Sequence, residues 1–312
     1  MDSRYIDGLD CLPQSLRDCV LTIGNFDGVH LGHQRILRTA RALADEQGTV
    51  VVALTFEPPP DLVLHPEDTP QRITPHDRKV ALLLAGGADY VVAAKTDRTL
   101  LEMSAAAFIQ QVIARRFAPR CLVEGRNFHF GRARAGTIET LTQAGPGCGF
   151  AVQTVEPVTV ALPAGPARVS STLIRELLLA GKIDHANCSL GYEFTLYERV
   201  IAGQGRGRLL DFTTVNVNPG QQVVPADGVY AGKAALAESR FPAAISIGTK
   251  PTLGPAQRAV EAFLIDASGD FYERQLALSF VRRLRDQRRF DTVDQLKAQI
   301  AKDVERVREI CG

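Results

Sequence analysis

The stretch G-N-F-D-G-V-H-L-G-H-Q, residues 24–34, decides how the first half of the chain folds. It follows a short apolar run, residues 19–23. It precedes a helical pattern in which the apolar residues at positions 36, 37, 40 and 43 share one face. An apolar strand that ends in a glycine-rich turn and continues as a helix is typical of a β–α unit in a parallel sheet.

Further strands and helices alternate through the first half of the chain. Short runs of strand character lie at residues 49–56, 90–93, 120–123 and 151–155. Thr74-Pro75 and Ser104 have the composition of helix starts. This alternation predicts an α/β doubly wound parallel-sheet domain. Ligands of such sheets bind beyond the carboxyl ends of the strands, at the point where the strand order reverses.

The pattern changes after residue 186. Strand-length runs separated by turn residues lie at positions 194–202, 228–234, 243–247, 259–265 and 276–281. They predict a small antiparallel β-barrel domain. The spacing of apolar residues in 293–310 predicts a C-terminal amphipathic helix. The boundary is predicted near Asn187, which gives domains of residues 1–187 and 188–312.

The composition narrows the class of protein. The chain has 312 residues, enough for two domains, and a formal net charge of +1, which argues against a nucleic-acid-binding surface. No secretory signal is readable, and no segment approaches the roughly 18 apolar residues of a membrane span. The six cysteines lack paired spacing, which indicates reduced thiols. We therefore expect a cytoplasmic protein that binds neither nucleic acid nor membranes; self-association is left open.

Two histidines in the opening stretch are candidates for catalysis. His30 and His33 are three residues apart, so they point the same way on the first turn of a helix. A helix N-terminus favours an anion, and Gly24 and Gly28 allow the backbone to approach it closely. Imidazoles at this place can donate hydrogen bonds to charge that develops on a triphosphate. The alternatives are structural histidines or, less favoured because no further ligand follows at suitable spacing, a zinc site.

The segment V-S-S-T-L-I-R, residues 169–175, predicts a second anion site. Hydroxyl side chains of residues 170–172 can cap a helix and contact a phosphate, and Arg175 one turn later supplies several N–H donors. A helix capped by serine or threonine without any ligand is the alternative. The presence of H-x-G-H in the same chain favours the functional interpretation.

The first half resembles the flavin adenine dinucleotide synthetases among the HxGH nucleotidyltransferases. Besides residues 24–34, the segments T-F-E-P-P-P (55–60), G-R-N-F-H-F-G (125–131) and residues 169–175 are similar to motifs of that family. The resemblance implies catalytic roles for His30 and His33 and flavin binding by Asn127. It assigns ATP or phosphate binding to Gly24, Phe26, Asp27, Gly28, Ser171, Thr172 and Arg175.

The second half carries a weaker phosphate-binding pattern, one further motif and a candidate catalytic glutamate. The segment G-Q-G-R-G-R, residues 203–208, taken alone is more typical of a glycine-rich hairpin. The segment F-T-T-V-N, residues 212–216, resembles the P-T-A-N motif of riboflavin kinases. The resemblance implies phosphate binding by Gly203, Gly205 and Gly207, Mg²⁺ binding by Thr214 and Asn216, and a catalytic role for Glu261. Without the resemblance, Glu261 is interpreted as a solvated carboxylate on a strand.

Taken together, the chain is similar to the bifunctional riboflavin kinase/FAD synthetase family over nearly its whole length. That resemblance implies two transferase reactions with ATP, riboflavin and FMN as substrates and Mg²⁺ as cofactor. Several positions depart from the family pattern. Pro59 replaces a histidine, Asp211 a glycine and Thr213 a proline, and the run G-Y-E-F at residues 191–194 lacks the family's arginine. The departures leave two alternatives open, an HxGH nucleotidyltransferase with an impaired kinase module and a non-catalytic sensor of flavin nucleotides.

Overall fold

The chain forms two compact units in a computed structural model. The described residues are 2–10, 12–201, 213–218, 220–249 and 258–312. The first unit comprises Met1–Pro70 and His76–Val169. The second comprises Gln71–Pro75 and Ser170–Gly312.

The first unit is built on a six-stranded sheet. Its strands are β1 (Tyr5–Asp7), β2 (Val20–Ile23), β3 (Val51–Glu57), β4 (Tyr90–Lys95), β5 (Cys121–Gly125) and β6 (Ala151–Val155). They are parallel and lie in the order β1-β4-β3-β2-β5-β6. The five predicted strands are confirmed. The sequence does not predict β1, because three residues are too few to show a pattern. The chain direction across the sheet reverses between β2 and β5, which places the expected ligand crevice there.

Helices pack on both faces of this sheet. In chain order, the helices of the first unit are α1 (Leu31–Gln47), α2 (Pro60–Leu64), α3 (His76–Ala85), α4 (Arg98–Leu101), α5 (Ala105–Phe108), a π-helical segment (Ile109–Phe117) and α6 (Ile138–Cys148). Val20 packs in the same cluster as Leu37 of α1, whereas the next residue, Leu21, packs with Ile113 of the π-helical segment. Successive strand residues point to opposite faces, so both faces are apolar and covered. This confirms the doubly wound α/β prediction.

A separate hairpin follows the sheet in the first unit. Strands β7 (Thr159–Leu162) and β8 (Gly165–Arg168) pair antiparallel. The sequence does not predict this hairpin, because the proline and glycine residues in and around it are depleted in strands generally.

The second unit contains a closed antiparallel barrel of six strands. They are β9 (Thr195–Ile201), β10 (Thr213–Val217), β11 (Gly228–Leu236), β12 (Ser239–Thr249), β13 (Arg258–Leu264) and β14 (Gln275–Arg285). The order around the barrel is β10-β13-β12-β11-β14-β9. Tyr230, Phe194 and Phe280 are buried and pack ring against ring. The predicted barrel is confirmed, and β10 adds a strand where the sequence indicates only a metal-binding motif.

The described residues of the second unit form three helices. They are α7 (Ser171–Leu179), α8 (Ile183–Leu190) and α9 (Val293–Cys311). Val307 of α9 is buried in one cluster with Val229 and Ala231 of β11, which confirms the predicted closing helix. Among the helices of the described residues, none is both long and apolar enough to cross a bilayer.

The structural division lies at a different place from the predicted boundary. Asn187 lies inside α8, and the compact units separate between Val169 and Ser170. A boundary within a helix is not visible in the sequence, because α7 and α8 continue the helical pattern of the first half. Whether residues 170–187 serve the first or the second functional domain therefore stays a prediction.

Candidate active sites

The two histidines of the H-x-G-H stretch form a stacked pair at the start of α1. His30 is the N-cap residue, with an extended backbone, and its Nδ1 accepts a hydrogen bond from the backbone N–H of His33 at 3.4 Å. The two rings are nearly parallel, at 15°, with centroids 3.7 Å apart. The His30 side chain thus satisfies one of the unpaired N–H groups at the helix start. The predicted common orientation of the two side chains is confirmed.

The turn before α1 has a backbone that explains its composition. Phe26, Gly28 and Val29 have positive φ angles of 51°, 82° and 34°. The Phe26 side chain is only 2% exposed and packs edge-on against the His33 ring, with centroids 5.2 Å apart. Its side chain therefore supports His33. Because this side chain is buried, the predicted binding of ATP would involve the backbone of Phe26. That role stays a prediction.

Gly32 lies between the two histidines because a side chain would press on His30. A Cβ added at Gly32 would lie 3.1 Å from His30 Cε1, closer than ordinary van der Waals contact. An alanine at this position would require the His30 ring to shift by a few tenths of an ångström.

Both imidazoles are neutral at physiological pH. Burial lowers the pKa of His30 to about 4. Burial, together with the nearby His30 and Lys79, holds the pKa of His33 well below its ordinary value of 6.5. Because Nδ1 of His30 accepts a hydrogen bond, the neutral ring carries its hydrogen on Nε2, which can donate to a ligand.

Two buried polar atoms in this turn are unsatisfied. Among the described residues, His33 Nδ1 and Asn25 Oδ1 have no hydrogen-bond partner. Buried polar atoms are nearly always paired, so an unpaired one within a crevice indicates a place for a ligand or ordered water. Both lie on the turn that the sequence predicts to bind ATP.

A buried carboxyl group spans the crevice between β2 and β5. The ladder pairs Val20 with Cys121 and Leu21 with Leu122. Beyond it, the backbone N–H of Ile23 donates to Glu124 Oε1 at 2.5 Å. Burial raises the pKa of Glu124 well above its ordinary value of 4.5, which favours the protonated acid. Sequence reasoning missed Glu124, although a carboxyl residue at the end of an apolar strand is a readable signal.

The candidate flavin residue lies at the same edge of the sheet. Asn127 follows β5 on an exposed turn, which the hydrogen bond from Phe128 N to Gly125 O closes at 2.9 Å. Parallel neighbours β2 and β5 end at one edge, so the turn that contains Gly24 and Asp27 emerges beside it. The structure therefore brings these sequence-predicted residues to one crevice. Their ligands stay a prediction.

An open groove of about 650 Å³ runs along α1. It is lined by Leu31, Arg35, Arg38, Thr39, Ala42 and Val158. Leu31 directly follows His30, and Arg35 and Arg38 are exposed. Two guanidinium groups near the start of α1 suit an anionic substrate.

The second predicted phosphate segment forms the start of α7. Ser170 is its N-cap, and Ser170 Oγ accepts a hydrogen bond from the backbone N–H of Leu173 at 3.1 Å, so the predicted cap is confirmed. Arg175 Nε donates to the backbone carbonyl of Gln71 at 2.9 Å. Both partners belong to the second unit. Phosphate binding by Ser171, Thr172 and Arg175 stays a prediction.

The barrel brings the candidate metal residues together with Glu261. Asn216 on β10 lies directly opposite Glu261 on β13, which in turn lies opposite Ser246 on β12. Val215 is buried between Thr214 and Asn216, whose side chains therefore share the other, less buried face of the strand. Hydroxyl, amide and carboxylate oxygens are the ligands that Mg²⁺ prefers, so this set fits the predicted ion.

Other predicted residues of the barrel lie outside the described residues: Gly203, Gly205, Gly207 and Asp211. Thr213, which replaces the proline of the motif, is described. Its Oγ1 donates to the backbone carbonyl of Ala267 at 2.7 Å. Within the described ranges, no cluster of three or more histidine, cysteine, aspartate or glutamate residues is arranged to hold a metal ion.

Comparisons with known proteins match each half of the chain to a protein family. The model of the FAD synthetase family matches residues 12–173, and that of the riboflavin kinase family matches residues 190–311. The predicted boundary at Asn187 lies in the gap between the two matches. A crystal structure titled as a macrolide-efflux protein from Streptococcus pneumoniae has a TM-score of 0.87 and 27% identity, covering 98% of this chain and 99% of that one.

Curated relatives cover the chain from end to end. The chain is 34% identical to a bifunctional riboflavin kinase/FMN adenylyltransferase of Escherichia coli strain K12, over 99% of this chain and 98% of that protein. It is 36% identical to the protein of the same name from Pseudomonas fluorescens, over 99% and 98%. The chain therefore belongs to the family of bifunctional riboflavin kinase/FMN adenylyltransferases, the transferases that make FMN and FAD.

Proposed function

We propose that the barrel unit phosphorylates riboflavin with ATP and that the crevice of the parallel sheet then adenylylates FMN with a second ATP. The observation that carries the adenylyl-transfer assignment is the stacked His30–His33 pair at the start of α1, beside the β2–β5 crevice. For the kinase assignment it is the register that sets Glu261 opposite Asn216.

In the adenylyl-transfer site, the phosphate of FMN attacks the α-phosphorus of ATP and pyrophosphate leaves. Negative charge increases on the oxygen atoms of the leaving group as the α–β bond breaks. Neutral His30, with its hydrogen on Nε2, donates to this charge, and the unpaired N–H groups of α1 add a favourable dipole. His33, stacked on His30 and supported by Phe26, contributes a second imidazole. These donors are fixed before the reaction begins, which is what makes such stabilisation effective.

In the kinase site, Glu261 accepts the proton of the primary hydroxyl of riboflavin as that oxygen attacks the γ-phosphorus of ATP. Thr214 and Asn216 hold Mg²⁺, which when bound neutralises charge on the phosphates. The strand register supports this arrangement, because it sets the base next to the metal-binding amide. Gly203, Gly205 and Gly207 complete the proposed phosphate site.

We also propose the cytoplasm as the compartment and small molecules as the partners. The net charge of +1 supports the absence of a nucleic-acid-binding role. Six cysteines without paired spacing support a reducing compartment. Sedimentation of the purified chain with and without a DNA duplex tests the nucleic-acid part and reports self-association.

One incubation tests the two proposed reactions. The full chain is mixed with riboflavin, ATP and Mg²⁺, and the flavins are separated by chromatography over time. We expect FMN to appear first and FAD to follow, and we expect both to vanish when EDTA removes the ion. Accumulation of FMN without FAD would contradict the adenylyl-transfer assignment. If riboflavin stays unchanged while FMN added to a parallel incubation is converted to FAD, the result would contradict the kinase assignment.

A further inference from the structure

Lys79 is a buried lysine that the H-x-G-H motif does not include. It lies on α3 with its side chain on the apolar stripe that also contains Val80 and Leu83, and it is 3% exposed. Its ammonium group donates to Thr55 Oγ1 at 3.1 Å and to the backbone carbonyl of Asn25 at 3.3 Å. Lysine is rarely buried so deeply, because removing an ammonium group from water is costly.

The two acceptors of Lys79 lie at the carboxyl ends of neighbouring strands. Asn25 is in the turn after β2, and Thr55 is near the end of β3. Thr55 Oγ1 is itself 3.4 Å from the carbonyl oxygen of Asn25. The lysine therefore joins α3 to the edge of the sheet where the ATP turn begins.

The charge of Lys79 acts on His33. Burial and the neighbouring His30 lower the pKa of that imidazole most, and the ammonium group of Lys79 lowers it further. Asn25, whose backbone Lys79 contacts, also presents the buried Oδ1 that lacks a partner among the described residues. A fixed cation beside an unsatisfied, buried turn suits an anionic ligand, because low exposure to water strengthens the attraction.

We propose that Lys79 is a positioning residue for adenylyl transfer, which holds the ATP turn against β3 and supplies a fixed positive charge beside His33. The inference rests on the proposal that His30 and His33 carry that reaction. It adds a cation outside the motif, provided from the first turn of α3. The charge compensates the triphosphate at a place where the two imidazoles are neutral.

A purely structural role for Lys79 makes a different prediction. If the ammonium group only ties the ends of the strands together, any side chain that donates to Asn25 and Thr55 would suffice. Lys79→Gln retains an N–H donor and removes the charge, whereas Lys79→Arg retains the charge. These two variants separate the electrostatic role from the structural one.

The experiment measures kcat and the KM for ATP of FMN adenylylation in the full-length Lys79→Gln, Lys79→Arg and His33→Ala variants. Lys302→Gln, an exposed lysine on α9, is the matched control for loss of one charge. We expect kcat/KM to fall about 100-fold in Lys79→Gln, with a raised KM for ATP, and to recover at least tenfold in Lys79→Arg. Riboflavin phosphorylation in the same protein should change less than twofold, and thermal unfolding followed by circular dichroism reports whether the first unit, which contains Lys79, is folded.

Two results would overturn the proposal. The first is that Lys79→Gln adenylylates FMN near the wild-type rate while His33→Ala is inactive. That result would contradict the role of Lys79 and leave the proposed function intact. The other is equal loss in Lys79→Gln and Lys79→Arg without a change in KM for ATP. If His33→Ala itself retains full activity, the proposed function fails instead. If Lys79→Gln misfolds, the Thr55→Val variant replaces it as the test, because it retains the charge of Lys79 and removes one acceptor. We expect its adenylylation rate to stay within about fivefold of wild type. A loss of adenylylation as large as that of His33→Ala would contradict the proposal.

Discussion

The two candidate sites of this chain are built in different ways. The adenylyl-transfer site centres on one contiguous turn, in which residues 24–33 supply the glycines, the helix start and both histidines. The kinase site is assembled across the barrel, where Asn216 and Glu261 are 45 positions apart in the sequence and meet through strand register. The first site depends on local backbone geometry, and the second depends on the pairing of whole strands.

This difference predicts how each site responds to mutation. A local turn is sensitive to small changes within it, such as a methyl group at Gly32. A site set by register tolerates neighbouring changes but loses its function when one of the facing side chains is replaced. The two reactions should therefore fail separately.

The largest effect is expected at Glu261. Glu261→Gln removes the proposed base but retains the shape of the side chain, and we expect riboflavin phosphorylation to fall about 10²–10⁴-fold. Adenylylation of added FMN should stay within twofold. Steady-state rates of both reactions check this, with Glu309→Gln, an exposed residue on α9, as control. Phosphorylation at the wild-type rate would show that Glu261 is a solvated carboxylate.

The converse loss is expected at the histidine pair. His30→Ala and His33→Ala each remove an imidazole at the start of α1, and we expect FAD formation from FMN to fall about 10²–10³-fold. FMN formation should be nearly unchanged. Chromatographic assays with each substrate make the measurement, and His185→Ala on α8 is the control. Unchanged FAD synthesis in both variants would refute the assignment of H-x-G-H.

A smaller effect on adenylylation is expected at Gly32, and it tests how tightly the turn is packed. Gly32→Ala places a methyl group 3.1 Å from His30 Cε1, so the ring must shift by a few tenths of an ångström. We expect adenylylation to fall about 3–10-fold, since larger misplacements cost about 100-fold. Gly147→Ala is the matched control, because a Cβ there meets nothing within 4 Å. Equal activity of the two variants would mean that His30 adjusts without cost.

The last of these predictions concerns stability, not activity, and is made for Glu124. The pKa of the Glu124 carboxyl group is raised in the folded state. The contribution of this group to the free energy of unfolding is therefore complete below the ordinary pKa of 4.5, and it is lost as the pH rises through the folded-state pKa. Glu124→Gln keeps the acceptor for Ile23 N and cannot ionise. Over that window, wild type should lose up to about 1.4 kcal/mol per pH unit relative to the variant. Urea unfolding of both proteins between pH 5 and 8 measures the difference; a constant difference would contradict the raised pKa.

The sequence predicts most of the architecture and the local geometry of the histidine pair. Apolar runs and the G-x-H-x-G-H turn indicate β2, α1 and the histidine pair, because these depend on neighbours in the chain. Lys79 and Glu124 escape prediction, since their importance arises from packing between distant segments. The unpredicted strand β10 has the same cause. A five-residue polar segment is recognised as a strand only once its partners β9 and β13 are in place.

The boundary near Asn187 illustrates a further limit. The helices α7 and α8 look like a continuation of the first half in sequence, yet their contacts group them with the barrel. Helical periodicity reports that one face is buried, and it does not report what buries that face.

The most direct test of two separate sites is a mixing experiment with His33→Ala and Glu261→Gln. Each variant is incubated alone, and both are incubated together, with riboflavin, ATP and Mg²⁺, and FAD is quantified. We expect His33→Ala alone to stop at FMN and Glu261→Gln alone to leave riboflavin unchanged. The mixture should make FAD, because FMN released by the first variant is adenylylated by the second. Absence of FAD from the mixture, while Glu261→Gln still converts added FMN and His33→Ala still releases it, would contradict two independently acting sites.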